Sequence, residues 1–250
     1  MLRLINKFVY RPEATVAEEN FTPADLGLSY EAVSIKTGDN LLLSAWYFPA
    51  NNPTHILMYC HGNAGDIRDW SYAMPPFLEM GCSVLLFDYR GYGQSQGKPS
   101  ESGLYLDGES VWGWVEEKAE EEGITAVILG KSLGSAIAIH VASQTPPGSL
   151  ILDSAFTSMR EIALTVTPWL PDAMLPELYE SLKIAPKLTC PTLVIHGRND
   201  TLVPLAHGQA LYNAMTCPKT LTIIDGADHN NLSNYPDYYA AIQAFLHKTA

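Results

Sequence analysis

Short, continuous apolar runs recur along this chain: His55–Cys60, Ser83–Phe87, Ala126–Leu129, Leu150–Leu152, Thr192–Ile195 and Leu221–Ile224. A strand with one wet face alternates apolar and polar residues; these runs do not. Each therefore reads as a strand buried on both faces. Longer stretches of helical pattern intervene at Asp66–Met80, Gly103–Glu122, Leu133–Gln144, Pro204–Met215 and Tyr235–Lys248. Strands and helices in alternation build a mainly parallel sheet with helices on both faces, the α/β class. Before the runs, Ala32–Thr37 and Leu41–Pro49 flank Gly38-Asp39-Asn40, the pattern of an antiparallel hairpin at a sheet edge. The 250 residues suit one such domain, spanning 1–250.

Residues 159–188 break the rhythm. Pro168, Pro171, Pro176 and Pro186 stand there among Ile162, Leu164, Val166, Trp169, Leu170, Met174, Leu175, Leu178 and Tyr179. The stretch is longer than a strand-to-strand crossover needs. It is expected to form a small apolar cap of short helices over the sheet, with Trp169, Leu170 and Met174 as candidate substrate contacts. Ordinary packing against the core is the alternative for the same side chains.

Charge and cysteine usage narrow the partners. Lys plus Arg total 15 and Asp plus Glu 27, a net charge of −12. A field of that sign repels polyanions, so nucleic acid is not an expected partner. No apolar run approaches the length of a membrane span. The four cysteines form no Cys-x-x-Cys pair and no cluster with zinc-ligand spacing, so no metal is expected. Cys60 and Cys82 fall in or beside apolar runs and read as reduced core residues of a cytoplasmic protein. The basic stretch Met1–Arg11 reads as a helix packed on the domain in preference to one lying on a membrane surface.

Gly130-Lys131-Ser132-Leu133-Gly134 matches G-x-S-x-G. It follows the run Ala126–Leu129 and opens the helix Leu133–Gln144, so it sits on a sharp strand-to-helix turn that presents Ser132 as a nucleophile. Gly130-Lys131-Ser132 could also end a phosphate-binding loop, but that motif needs glycine where Thr125 stands. Asp88–Gly97 resembles a dinucleotide fingerprint only superficially. No helix begins there, and a structural loop bordering the site is expected.

A hydroxyl nucleophile needs a base, and the base needs an orienting carboxylate. Asp200 lies in the loop after Thr192–Ile195, and His229 in the loop after Leu221–Ile224. Both are at the strand ends where open α/β sheets bind ligands. Asp153, ending Leu150–Leu152, is the rival acid, with Asp200 preferred. His55, His61, His140, His196, His207 and His247 fit less well and read as structural or solvated. For an oxyanion, the backbone N–H groups of Leu133 and Asn63 are the candidate donors; Asn63 belongs to the Gly-containing loop after His55–Cys60.

Taken together, His61-Gly62-Asn63-Ala64-Gly65, Asp88-Tyr89-Arg90-Gly91-Tyr92-Gly93, Gly130–Gly134, Asp153–Ser158, Gly197–Asp200 and His229-Asn230 make the chain resemble the α/β-hydrolase superfamily. It is most similar to the alpha/beta hydrolase domain-containing branch, with depalmitoylase-type, fungal cell-polarity and uncharacterised bacterial members. The resemblance implies an eight-stranded sheet whose second strand is antiparallel, no cofactor, and hydrolysis of small-molecule esters or thioesters. Depalmitoylase-like members carry an N-terminal cysteine cluster for lipid anchoring; the first cysteine here is Cys60, so the likeness does not extend to that feature. Carboxylesterase or thioesterase is the expected activity. Amide cleavage or perhydrolysis on the same residues, and a non-catalytic scaffold role, are the rivals.

Overall fold

A computed structural model describes residues 9–166 and 177–249. Eight strands form a sheet in the order β1-β2-β4-β3-β5-β6-β7-β8, and the chain divides into two compact units, 1–127 and 128–250.

In the first unit, β1 (Glu31–Lys36) and β2 (Leu42–Phe48) form the expected hairpin, with Lys36 opposite Leu42. β2 is antiparallel to β1 and to β4 (Cys82–Phe87), whereas β3 (His55–Cys60) runs parallel to β4. Every residue of β3 and β4 is buried. That is why these strands read as unbroken apolar runs.

The stretch Asp66–Met80 is not one helix. It splits into α1 (Ile67–Trp70), a 3-10 turn and α2 (Pro75–Glu79). The adjacent Pro75 and Pro76 have no N–H to continue a preceding helix, so a new one starts with them. The next helix, α3 (Glu101–Glu122), is capped by the Ser100 hydroxyl at its start and by left-handed Gly123 at its end. Leu104, Val111, Trp112, Val115 and Ala119 are its buried apolar side chains, and the acidic final turns face solvent.

One charge on α3 is buried with them. Asp107 accepts from the Arg90 backbone N–H at 2.8 Å and from Arg90 Nε at 2.9 Å. The guanidinium also reaches exposed Asp39 at 2.9 and 3.1 Å. The loop Asp88–Gly97 is thus a structural device, fastened to α3 and to the hairpin turn. Asp107→Ala is expected to cost about 3 kcal/mol in urea unfolding, because it strands a largely buried cation. A loss under about 1 kcal/mol would mean that Asp39 alone satisfies Arg90.

In the second unit, β6 (Ser149–Asp153), β7 (Thr192–Gly197) and β8 (Lys219–Ile224) are parallel. β5 (Thr125–Lys131) leads directly through Ser132 into α4 (Leu133–Gln144), most of which is buried. From the stretch 159–188, the described helical segments are α5 (Met159–Val166), α6 (Ser181–Ile184) and a 3-10 turn at Ala185–Lys187. Met159 N–H donates to the Leu178 carbonyl and Leu182 N–H to that of Thr157, at 3.0 Å each, so the two ends of the insertion are tied together. Helices α7 (Leu205–Ala214) and α8 (Pro236–Thr249) complete the unit. All four cysteines are free and buried. Among the described residues no helix is long and apolar enough to cross a membrane, and no group of His, Cys, Asp and Glu is placed to hold a metal.

Candidate active site

The turn from β5 to α4 is forced by its neighbours. Ser132 holds φ 52° and ψ −117°, a conformation that costs a side-chain-bearing residue about 1–3 kcal/mol and that recurs at functional sites. A Cβ on Gly130 would stand 2.5 Å from the Gly134 carbonyl oxygen and 2.6 Å from Ser135 Cα. Only glycine lets strand and helix approach this closely. The Ser132 N–H donates to the Asp153 carbonyl at 2.9 Å, and the Ser132 carbonyl accepts from the Ser135 N–H at 2.9 Å. Leu133 follows as the first residue of α4, at the positive end of the helix.

Two loops of the same unit bring a histidine and a carboxylate to this turn. His229 Nε2 lies 3.0 Å from Ser132 Oγ, and His229 Nδ1 lies 2.7 Å from Asp200 Oδ2. An ionised carboxylate only accepts, so Nδ1 carries the proton and Nε2 is free to accept from the serine hydroxyl. Asp200 Oδ1 accepts from the N–H groups of Leu202 at 3.0 Å and Val203 at 2.7 Å. Burial alone would raise the pKa of this carboxyl. Hydrogen bonds from His196, His229 and the Val203 N–H outweigh it and hold Asp200 well below the usual carboxylate range.

The loops carrying Asp200 and His229 are laced to one another. A Cβ on Gly197 would meet the Ala227 carbonyl oxygen at 2.6 Å, and Asn199 N–H donates to that oxygen at 2.9 Å. Asp228 accepts from the N–H groups of Thr201 at 3.1 Å and His229 at 2.7 Å. Its carboxylate therefore fixes the histidine's backbone and leaves the imidazole to Asp200.

Asp153 is occupied otherwise. Its carboxylate takes Lys131 Nζ at 3.1 and 3.2 Å, the Tyr238 hydroxyl at 2.9 Å and the Ser154 hydroxyl at 2.9 Å. Two neighbours of the site are not evident from spacing alone. Lys131 is one. The other is His196, fully buried, whose Nε2 lies 2.8 Å from the Val203 carbonyl and 3.4 Å from Asp200 Oδ2. Its position four residues before Asp200 was the available signal.

Asn63 belongs to the first unit. Its carbonyl accepts from the Tyr92 hydroxyl at 3.0 Å and from Arg11 N–H at 2.9 Å. Two residues back, His61 Nδ1 donates to the Gly62 carbonyl at 2.7 Å, which fixes the Gly62–Asn63 peptide plane and so the direction of the Asn63 N–H. Burial lowers the His61 pKa to about 4, so its ring is neutral at pH 7. Neighbouring Asp88, also buried, is pushed well above the carboxylate range, mainly by that burial. Trp169, Leu170 and Met174 lie outside the described residues.

Comparison with known proteins identifies the family. The family described as alpha/beta hydrolase fold matches residues 55–180. An uncharacterized protein of Mycobacterium tuberculosis is 36% identical over 223 residues, 87% of this chain and 79% of its own. The chain belongs to the α/β-hydrolase family. Human alpha/beta hydrolase domain-containing protein 17B is 29% identical over 78% of this chain and 67% of its own length. Among solved structures, the Pyrococcus furiosus esterase Pf2001 superposes with a TM-score of 0.79 at 25% identity, covering 96% of this chain and 97% of that one. Such relatives support hydrolase activity. The antiparallel second strand of the eight-stranded sheet is as the family resemblance implied.

Proposed function

We propose that this α/β-hydrolase is a serine hydrolase that cleaves carboxylic esters or thioesters through an acyl-enzyme on Ser132. The unbroken hydrogen-bond chain from Ser132 Oγ through His229 to Asp200 supports this most directly. His229 takes the hydroxyl proton as Oγ attacks the carbonyl carbon. Asp200, ionised and buried, stabilises the imidazolium that forms and keeps Nδ1 protonated. The N–H groups of Leu133 and Asn63 receive the negative charge that develops on the carbonyl oxygen. His229 then returns the proton to the leaving alcohol or thiol. A water molecule, deprotonated by the same Nε2, releases the acid and restores Ser132.

For the acyl group we propose a small to medium alkyl or aryl chain held by the cap at 159–188, with Trp169, Leu170 and Met174 as its contacts. The free, buried cysteines suit a reducing, cytoplasmic setting. A p-nitrophenyl ester series, with the matching p-nitroanilides, tests both parts. Esters are expected to be cleaved well above anilides, with kcat/KM rising with acyl length to a maximum. A flat chain-length profile would remove the acyl pocket. Faster anilide cleavage would favour an amidase.

A further inference from the structure

Asp153 ends β6 and is linked to both partners of the proposed proton transfer, to Ser132 directly and to His229 through Lys131. Its carbonyl accepts from the N–H of Ser132 at 2.9 Å. Its carboxylate, on a side chain 2% exposed, holds Lys131 Nζ at 3.1 and 3.2 Å. The same ammonium donates to the carbonyl oxygen of His229 at 3.2 Å. Lys131 is the first of the two variable positions of the G-x-S-x-G turn, one residue before the serine, with a side chain only 12% exposed. Tyr238 from α8 and Ser154 fill the remaining acceptor sites of the carboxylate at 2.9 Å each. The ammonium is thereby held between two fixed acceptors.

We propose that Lys131 is a positioning residue that sets His229 against Ser132 by bridging the histidine's carbonyl to Asp153. The proposal rests on Ser132 acting as the nucleophile. His229 sits within a loop, and its imidazole must stay at hydrogen-bond distance from Oγ while the turn itself is strained. Asp228 fixes the histidine's N–H at 2.7 Å, and Lys131 fixes the carbonyl on the other side of the same Cα. Because Lys131 adjoins Ser132 in the chain, base and nucleophile take their register from one strand end. No proton passes through Lys131.

The test is Lys131→Met, assayed for kcat and KM on a p-nitrophenyl ester, for the rate of fluorophosphonate labelling, and for melting temperature. A misplacement of about 1 Å costs on the order of 100-fold in rate. Both kcat and the labelling rate are expected to fall together by about 10–100-fold, with KM nearly unchanged. Lys131→Arg is expected to recover most of that loss. Lys131→Met leaves the Asp153 carboxylate buried without its cation and can cost folding. The double variant Lys131→Met/Asp153→Asn removes both charges while still lacking the bridge. It is expected to melt near the wild type and to show the same drop in kcat. Wild-type kcat and labelling rate in either folded variant would overturn the proposal, whatever the change in melting temperature. Failure of the wild-type protein to label at all would instead overturn the serine-hydrolase reading beneath it.

Discussion

Ser132→Ala is expected to lower kcat for ester hydrolysis by on the order of 10⁶-fold, with the fold and KM largely retained. The size follows from what the hydroxyl does. Without Oγ there is no acyl-enzyme, and His229 has no proton to take. What remains is substrate binding and donation to the oxyanion by backbone N–H groups, which alanine does not remove. Those residual terms keep such variants roughly 10³–10⁴-fold above the uncatalysed reaction. Alanine also has difficulty with the backbone that Ser132 holds, φ 52° with ψ −117°. A comparison by circular dichroism and melting temperature separates loss of chemistry from loss of structure. A drop under about 100-fold in a folded variant would mean that a water molecule, not Ser132, attacks the substrate.

Asp200→Asn is the second large effect, expected at about 10⁴-fold in kcat. The asparagine side chain can present N–H where Asp200 Oδ2 now accepts from His229 Nδ1 at 2.7 Å. The histidine then places its proton on Nε2 and can no longer accept from Ser132 Oγ. The melting temperature is expected to fall as well, because His196 also leans on this carboxylate at 3.4 Å. Asp153→Asn is the control. It weakens the Lys131 bridge but leaves the imidazole's partner in place, so its loss is expected to stay near 10-fold. The reverse order of effects would transfer the acid role to Asp153.

Much of this site is legible before any coordinates. Ser132 is found because a tight strand-to-helix turn tolerates little bulk, and Gly130 records that constraint in the chain. Asp200 and His229 are found because each follows an apolar run, and strands buried on both faces announce their own ends. Asp153 reads as the weaker candidate for the acid, and the sequence does not show what occupies its carboxylate. In the structure Lys131, Tyr238 and Ser154 occupy it. Ser154 is the neighbour of Asp153 in the chain, but Lys131 and Tyr238 come from β5 and α8, and no local pattern predicts that meeting. Lys131 was hidden for the same cause, whereas His196 has its partners nearby in Val203 and Asp200. A lysine inside a motif looks like a surface residue until a buried carboxylate is placed beneath it. The stretch Asp66–Met80 failed differently: its apolar spacing suggested one helix, and the rigid Pro75-Pro76 pair overrode it.

The serine as nucleophile is tested most directly by a fluorophosphonate probe, which forms a covalent bond only with an activated hydroxyl. Intact-mass analysis of the wild-type protein should show a single adduct, peptide mapping should place it on Ser132, and Ser132→Ala should show none. An unmodified wild-type protein, or an adduct that persists in Ser132→Ala, would contradict the assignment.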